Sequence, residues 1–149
     1  MTPDQAQDLK QLLQRAQGGE PFVSMVPYAL LADGRLVIHV SQLATHTRDM
    51  QEHPGVSVMV LGERAADALP QEQPRASLQG EAHGCAPDAP DHAAARQAYL
   101  ARFPHSEAMF GFGDFSLFLV TPRSVRFVAG FAQAFSLTGA DYGALMGSA

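Results

Sequence analysis

Cysteine and lysine are almost missing from this 149-residue chain. A single cysteine, Cys85, excludes an internal disulfide and any metal site built from several cysteines. Lys10 is the only lysine, so an anion site would have to use arginine, histidine, hydroxyl groups or backbone N–H groups. The net charge of -5 argues against a general binder of nucleic acid or of anionic membranes, because such proteins carry clustered Lys and Arg.

The sequence also lacks long hydrophobic runs: no apolar stretch reaches the length of a membrane span. The first ten residues, MTPDQAQDLK, are polar and acidic, unlike a secretory signal peptide. We therefore expect a cytoplasmic protein. The length predicts a single domain over residues 1–149, and a composition of 46% hydrophobic and 17% charged residues is ordinary for a globular protein.

Hydrophobic periodicity predicts six strands and few helices. A helix is expected over 2–17, a short one beginning near Thr45 and a longer one over 87–104 with start signals at Asp88 and Pro90. The tail 140–149 is expected to hold one helical turn. Strands are predicted over 21–32, 35–40, 56–62, 75–86 and, within 115–131, as a pair joined tightly at Thr121-Pro122-Arg123.

The connections between these strands favour an antiparallel arrangement. Asp33-Gly34 is a strong hairpin signal, Pro27 indicates an edge or a bulge, and Gly80 indicates a bend. Runs of hairpins with few helices favour a small barrel over a parallel α/β sheet. The predicted fold class is mainly β with flanking helices, as a six-stranded antiparallel barrel.

Common catalytic signatures are absent from the sequence: it has no G-x-S-x-G elbow, no P-loop and no H-E-x-x-H. Gly111-Phe112-Gly113 does not follow a strand, so it is interpreted as a loop and not as a dinucleotide fingerprint. His39, His46 and His53 recur every seven residues, but one lies on a strand and two flank a helix, so no metal site is predicted. Cys85 is interpreted as a small buried residue.

The segment Ser41 to Met50, SQLATHTRDM, is the best candidate for a site. It joins a strand to a helix, where free N–H groups and the helix dipole favour an anion. Hydroxyls of Ser41, Thr45 and Thr47 would add donors to a phosphate, and His46 and Arg48 would add cationic ones. Simple helix capping by the same hydroxyl residues is an equally good explanation from physics alone, and both remain open here.

The order PFVSMVPYALLADGRLVIHVSQLATHTRDMQEHPGVSVMVLGE, followed by PRASLQGEA, resembles the pyridoxamine 5′-phosphate oxidase-like flavoproteins, the FMN-binding split barrels. Within them the chain looks closest to the haem-utilisation (HugZ-type) branch, which shows S-x-L-A-x-H-T-x-N after a strand. Here Ser41, Leu43, Ala44, His46 and Thr47 match that motif, and GFAQA at 130–134 matches a later one.

The resemblance implies a homodimer of six-stranded barrels with FMN in the groove between subunits and a small-molecule substrate that stays unidentified. It implies an oxidoreductase without assigning a catalytic residue. Its cofactor-binding positions form four groups along the chain: Ser24, Met25, Val26, Pro27, Tyr28 and Ala29; His39, Val40 and Ser41; Thr45, His46 and Thr47; and Arg75, Gly130 and Phe131.

Haem is the alternative cofactor that the same branch implies. Some of its members bind haem through a histidine near the C-terminus and break the porphyrin ring. This sequence has no histidine after His105, so FMN is the first expectation, and a haem role would need His46 or another histidine. A barrel without any cofactor, serving as an interaction module, is the third possibility.

Overall fold

The computed structural model describes residues 23–147, and the helix predicted over 2–17 lies outside them. Within the described range the chain forms six strands, three α-helices and two short 3₁₀ helices. The strands are β1 (Ala29–Leu30), β2 (Leu36–Ser41), β3 (Gly55–Leu61), β4 (Arg75–Cys85), β5 (Phe115–Gly130) and β6 (Gln133–Thr138). The helices are α1 (Thr45–Glu52), α2 (His92–Arg102) and α3 (Gly139–Gly147), and the 3₁₀ helices are Pro70–Glu72 and Pro104–Gly111.

All strand pairs are antiparallel, in the order β1-β2-β5-β4-β3, with β6 also paired to β5. The first half of β5 pairs with β2 and its second half with β6, while β4 runs along its whole opposite edge. The mainly β, six-stranded antiparallel fold with flanking helices is therefore confirmed. Among residues 23–147, no helix combines the length and the apolar character that crossing a membrane requires.

Two hydrophobic cores lie on opposite faces of this sheet. The inner core takes Leu36, Ile38 and Val40 from β2, which alternate along the strand, together with residues of β4, β5 and α1. The second core holds Val37 of β2 against Tyr99 of α2, with Leu117 and Leu119 of β5. The middle of β5 is thus buried on both faces by its own chain.

Three predicted elements are wrong. Of the strand predicted over 21–32, the described part 23–32 forms strand only at the two residues of β1, since Pro27 cannot donate a ladder hydrogen bond. The two strands predicted within 115–131 are one 16-residue strand, β5. The helix predicted over 87–104 begins only at His92, after the turn residues that carry Asp88 and Pro90.

Strand β5 continues past Pro122 through a bulge: Gln79 and Gly80 of β4 pair with Ser124 and Pro122, and Arg123 is the extra residue of β5. A Cβ on Gly80 would collide with the carbonyl oxygen of Thr121, so only glycine lets β5 approach this closely. The bulge lies opposite Gly80, near which the sequence predicts a bend, but its extra residue is on β5. Two features after β5 were not expected: the sixth strand is β6, and α3 has nine residues where one turn was predicted.

Candidate functional site

The start of α1 lies where β2 ends, and no side chain caps it. Its N-cap is Ala44, in extended conformation. The Ser41 hydroxyl instead accepts a hydrogen bond from the Leu43 N–H at 3.1 Å and donates to Asp114 Oδ2 at 3.3 Å. The hydroxyl of Thr47 is fully buried and donates to the Ser41 carbonyl oxygen at 2.6 Å. The capping hypothesis therefore does not describe these hydroxyls, and only that of Thr45 is exposed at the helix start.

The segment before β1 reaches this helix through one hydrogen bond. Ser24 Oγ lies 3.1 Å from Nδ1 of His46, while Nε2 of the same ring is buried without a partner within residues 23–147. Val26 and Tyr28 pack against the inner core, and Ala29 belongs to the second core. The others point away: Met25 is 98% exposed, and Pro27 is exposed too.

His39 and Val40 point to opposite faces of β2. Val40 is buried in the inner core. The His39 ring is stacked on Phe110 with centroids 4.0 Å apart, and its Nδ1 is buried without a partner in the described chain. Burial, reinforced by the nearby His92, lowers the pKa of His39. His39 is thus a neutral imidazole at neutral pH.

Arg75, Gly130 and Phe131 line one cleft of about 510 Å³ on the outer side of the sheet. The Arg75 guanidinium donates to the carbonyl oxygens of Gln71 and Gln73, both at 3.2 Å. An arginine that opens a strand after a polar loop could instead pair with a nearby acid, but Arg75 forms no salt bridge with Glu72 or Glu81. The Glu72 carboxylate accepts from the Leu69 N–H, and that of Glu81 faces His83 and Arg123.

A second arginine lies in the same cleft. Ser77 pairs with Arg126 and Arg75 with Val128, so the two arginines are diagonal neighbours on one face, with Cα atoms about 7–8 Å apart. Arg126 donates to Ser136 Oγ at 2.8 Å. In the part of the chain that the structure describes, neither guanidinium has a carboxylate within 4.0 Å. Two uncompensated positive charges at this spacing favour a dianionic ligand.

Exposed apolar side chains continue this surface. Leu61 pairs with Arg75 and Met59 with Ser77, which places both on the same side of the sheet. They are 57% and 50% exposed, and Phe131 beyond them is 72% exposed. We call this surface the arginine face. It consists of Met59, Leu61, Arg75, Ser77, Arg126, Val128, Gly130 and Phe131.

A second cleft, of about 860 Å³, lies between α2, the second 3₁₀ helix and the ends of β2, β4 and β5. We call it the histidine cleft, because His39 and His92 both line it. Burial raises the pKa of the Cys85 thiol in its wall, which disfavours the reactive thiolate. Within residues 23–147, no three His, Cys, Asp or Glu side chains are arranged to hold a metal ion.

The predicted site residues therefore fall in three places. The α1 start holds Ser24 and His46, the histidine cleft holds His39, and the arginine face holds Arg75, Gly130 and Phe131. By sheet register, Ser41 lies near the Cys85 end of the 11-residue β4, while Arg75 is at its other end. Sequence analysis missed Arg126, because β5 was divided in two and its register with β4 was not recognised.

Comparison with known proteins identifies relatives of this chain. The family model for pyridoxamine 5′-phosphate oxidase matches residues 14–129. The chloroplastic heme oxygenase HOZ of Arabidopsis thaliana is 39% identical over 117 residues, which are 78% of this chain and 34% of HOZ. Heme oxygenase HutZ of Vibrio cholerae is 27% identical over 124 residues, 83% of this chain and 70% of HutZ.

A solved structure agrees with these matches. The heme binding protein from Mycobacterium smegmatis superposes with a TM-score of 0.77 at 32% identity, covering 86% of this chain and 51% of that protein. The chain thus spans about a third of the plant relative and about half of the mycobacterial one.

Proposed function

This chain belongs to the pyridoxamine 5′-phosphate oxidase family, and on that premise we propose that it binds haem on the arginine face. The observation that carries the proposal is the unpaired diagonal of Arg75 and Arg126 beside exposed apolar side chains. Haem is a flat apolar macrocycle with two carboxylates on one edge. The arginine face offers guanidinium groups for the carboxylates and Leu61, Val128 and Phe131 for the ring.

The residues present fit this group, because both guanidiniums are already held in place. Backbone carbonyls at Gln71 and Gln73 orient Arg75, and the Ser136 hydroxyl orients Arg126. Less side-chain freedom is lost on binding when the donors are oriented beforehand. When bound, haem iron would supply redox and oxygen chemistry. The arginines would neutralise the propionates, and the apolar side chains would exclude water from the ring.

The relatives favour haem over the flavin that we expected first. Two of them, at 39% and 32% identity, carry haem in their names. FMN remains the second candidate, and one observation favours it. Helix α1 starts without a side-chain cap, beside the exposed Thr45, and a phosphate binds well at such N–H groups. An FMN-dependent oxidoreductase would place its phosphate there.

The proposed assembly is a homodimer with the cofactor between subunits. Within one chain, the α1 start and the arginine face lie apart. A second copy could bring its own residues to either of these two places. The amphipathic character of the arginine face supports this arrangement, since it leaves Met59 and Leu61 for a partner to cover.

The proposal is tested by titrating the full-length protein with haem and, separately, with FMN, and recording absorbance. We expect haem binding to shift the Soret band, and the shift should saturate at one haem per arginine face. Arg75→Ala should raise the dissociation constant by roughly tenfold or more, because a charge-assisted pair is lost. The haem dissociation constant of Arg75→Lys should lie between those of wild type and Arg75→Ala, since an ammonium cannot reproduce the planar guanidinium fork.

Arg123→Ala is the matched control. Arg123 lies on β5 like Arg126, but it is not part of the arginine face. It directly precedes Ser124, which is on the same side of the sheet as Arg126, and its guanidinium pairs with Glu81. It should leave haem affinity unchanged. Equal haem affinity in wild type, Arg75→Ala and Arg126→Ala would remove the arginine face from the site. Flavin absorbance with no Soret shift would make FMN the cofactor.

A further inference from the structure

The histidine cleft is a separate space from the arginine face, and it is lined mainly by aromatic and apolar groups. Its volume of about 860 Å³ lies within the range of small-molecule pockets. Phe110, Phe115 and Phe118 contribute to its walls, together with Cys85 and Leu117. Phe110 and Phe115 flank His39 on one face of the sheet, and these rings suit a flat aromatic ligand better than a flexible aliphatic one.

Two glycines before β5 line the cleft without a structural requirement inside the chain. Neither Gly111 nor Gly113 has a positive φ. A Cβ at either position would meet no atom within 4 Å. Neither backbone conformation nor packing within the described chain therefore requires glycine here. Their common effect is to keep the cleft open.

His39 gives an independent sign of a missing partner. Only 8% of this residue is exposed, yet its Nδ1 makes no hydrogen bond within residues 23–147. Buried polar groups are nearly always paired, so an orphan beside a cleft indicates a group that occupies the cleft. The ring is already fixed by stacking on Phe110.

The charges at the cleft point to the sign of the ligand. The Arg96 guanidinium lies 5.0 Å from the centroid of the Phe110 ring. Its distance to the Glu107 carboxylate is 3.7 Å, which is long for an ion pair, and both side chains are partly exposed. Such a long, solvated pair is weak, so the guanidinium can turn to another carboxylate. His92 lines the same rim, and Glu107 is the acid there that a ligand would have to displace.

We propose that the histidine cleft binds a planar aromatic carboxylate at a site distinct from the cofactor site. The aromatic ring lies against Phe110 and Phe115, the carboxylate meets Arg96, and a polar ring substituent can satisfy His39. The site goes beyond the proposed haem function and does not depend on it.

The test uses 1-naphthoate as probe with the full-length protein, measured by calorimetry and by NMR of the histidine ring signals. Binding should shift the His39 and His92 signals but not that of His83, an exposed residue outside the cleft. Cyclohexanecarboxylate, with the same charge and no aromatic ring, should bind at least tenfold more weakly.

Two variants locate the probe. Gly111→Val fills the cleft at a position that accepts a side chain, and it should weaken 1-naphthoate by at least tenfold. Gly55→Val, at an equally open position on β3 outside the cleft, is its control and should change nothing. Arg96→Gln, on the helix surface, should weaken 1-naphthoate by about tenfold and leave the neutral 1-naphthalenemethanol unaffected.

Three outcomes would overturn the inference: no binding of 1-naphthoate at millimolar concentration, equal affinity in wild type and both cleft variants, or displacement of the probe by haem. Displacement would place haem in the histidine cleft and leave haem binding itself intact. Unchanged probe binding in protein that does not bind haem would refute the proposed function alone.

Discussion

The hydroxyl of Ser24 and Nδ1 of His46 are 3.1 Å apart, although 22 residues separate them in the chain. This hydrogen bond ties the segment before β1 to the first turn of α1. It also fixes the orientation of a ring whose Nε2 is buried without a partner in the described residues. A cofactor phosphate or a second subunit could supply the hydrogen-bond partner that this buried nitrogen lacks.

We expect Ser24→Ala to change the ring of His46 more than the stability of the fold. Loss of an exposed neutral hydrogen bond should lower the free energy of unfolding by no more than about 1 kcal/mol. The nitrogen chemical shifts of His46 should move, because Nδ1 loses its partner. NMR of labelled histidine and urea unfolding measure the two effects.

Ser57→Ala is the matched control, since Ser57 is exposed on β3 and its hydroxyl makes no side-chain hydrogen bond in the range 23–147. It should leave both readouts at the wild-type values. Unchanged His46 shifts in Ser24→Ala would show that this contact does not orient the ring.

The strands with a clear alternation were predicted to within one residue at each end. Strand β3 runs from Gly55 to Leu61, against a prediction of 56–62, and β4 ends at Cys85. A hairpin at Asp33-Gly34 is confirmed, but its loop is longer than the two residues expected there, because the last strand pair is Leu30 with Leu36. Gly34 has φ +86° and lies under the Tyr142 and Met146 side chains of α3. Local chemistry fixes such features, so the sequence pattern is sufficient for them.

Features that depend on a partner strand could not be predicted in this way. Pro122 interrupts the pattern of β5, and only its pairing with Gly80 of β4 shows that the strand continues. Because β5 was predicted as two strands, the diagonal arrangement of Arg75 and Arg126 was not predicted either. Nor does the sequence show that the Thr47 hydroxyl turns inward to the Ser41 carbonyl. Register and side-chain direction come from the assembled sheet.

The outer side of β3 is expected to be a dimer interface. Apolar residues at consecutive positions in VSVMVLG and FSLFLV are typical of burial on two faces, but α2 covers the second face of FSLFLV within the chain. In β3 exposed residues alternate with half-buried ones, and Met59 and Leu61 remain about half exposed. We predict a dimer that buries more than about 2,000 Å² in total.

Met59→Asp should weaken that dimer by at least about tenfold, because a charge would be buried against an apolar partner surface. Leu43→Asp is the control: Leu43 is 83% exposed but lies between β2 and α1, away from this face. Light scattering at micromolar concentration measures both. A monomeric wild type, or a Met59→Asp protein as dimeric as wild type, contradicts the prediction.

The last prediction concerns pH and His39. Burial first, and then His92, lower the pKa of this imidazole below its ordinary value of 6.5. The groups facing it are His92, Arg96 and Tyr99 on α2, Glu107 and Phe110 on the second 3₁₀ helix, Phe115 on β5 and Cys85 on β4. The only acid in this set, Glu107, faces Arg96. Nothing there stabilises an imidazolium.

Below pH 6.5 the unfolded chain therefore binds a proton at His39 that the folded chain does not. The free energy of unfolding then rises with pH in this range, and stability is lost as the pH falls from about 6.5 towards the lower folded-state pKa. His39→Phe keeps an aromatic ring against Phe110 and cannot titrate. It should match wild type at pH 7.5 to within about 1.5 kcal/mol and lose less stability by pH 5.5.

Urea unfolding at pH 7.5, 6.5 and 5.5 gives the comparison. His83→Gln serves as control, because His83 is exposed beside Glu81 and should leave the difference between the two pH extremes close to that of wild type. Parallel curves for wild type and His39→Phe would mean that His39 carries its proton in the folded protein. The buried, unpartnered Nδ1 would then have to be reached by water or by a ligand in the histidine cleft.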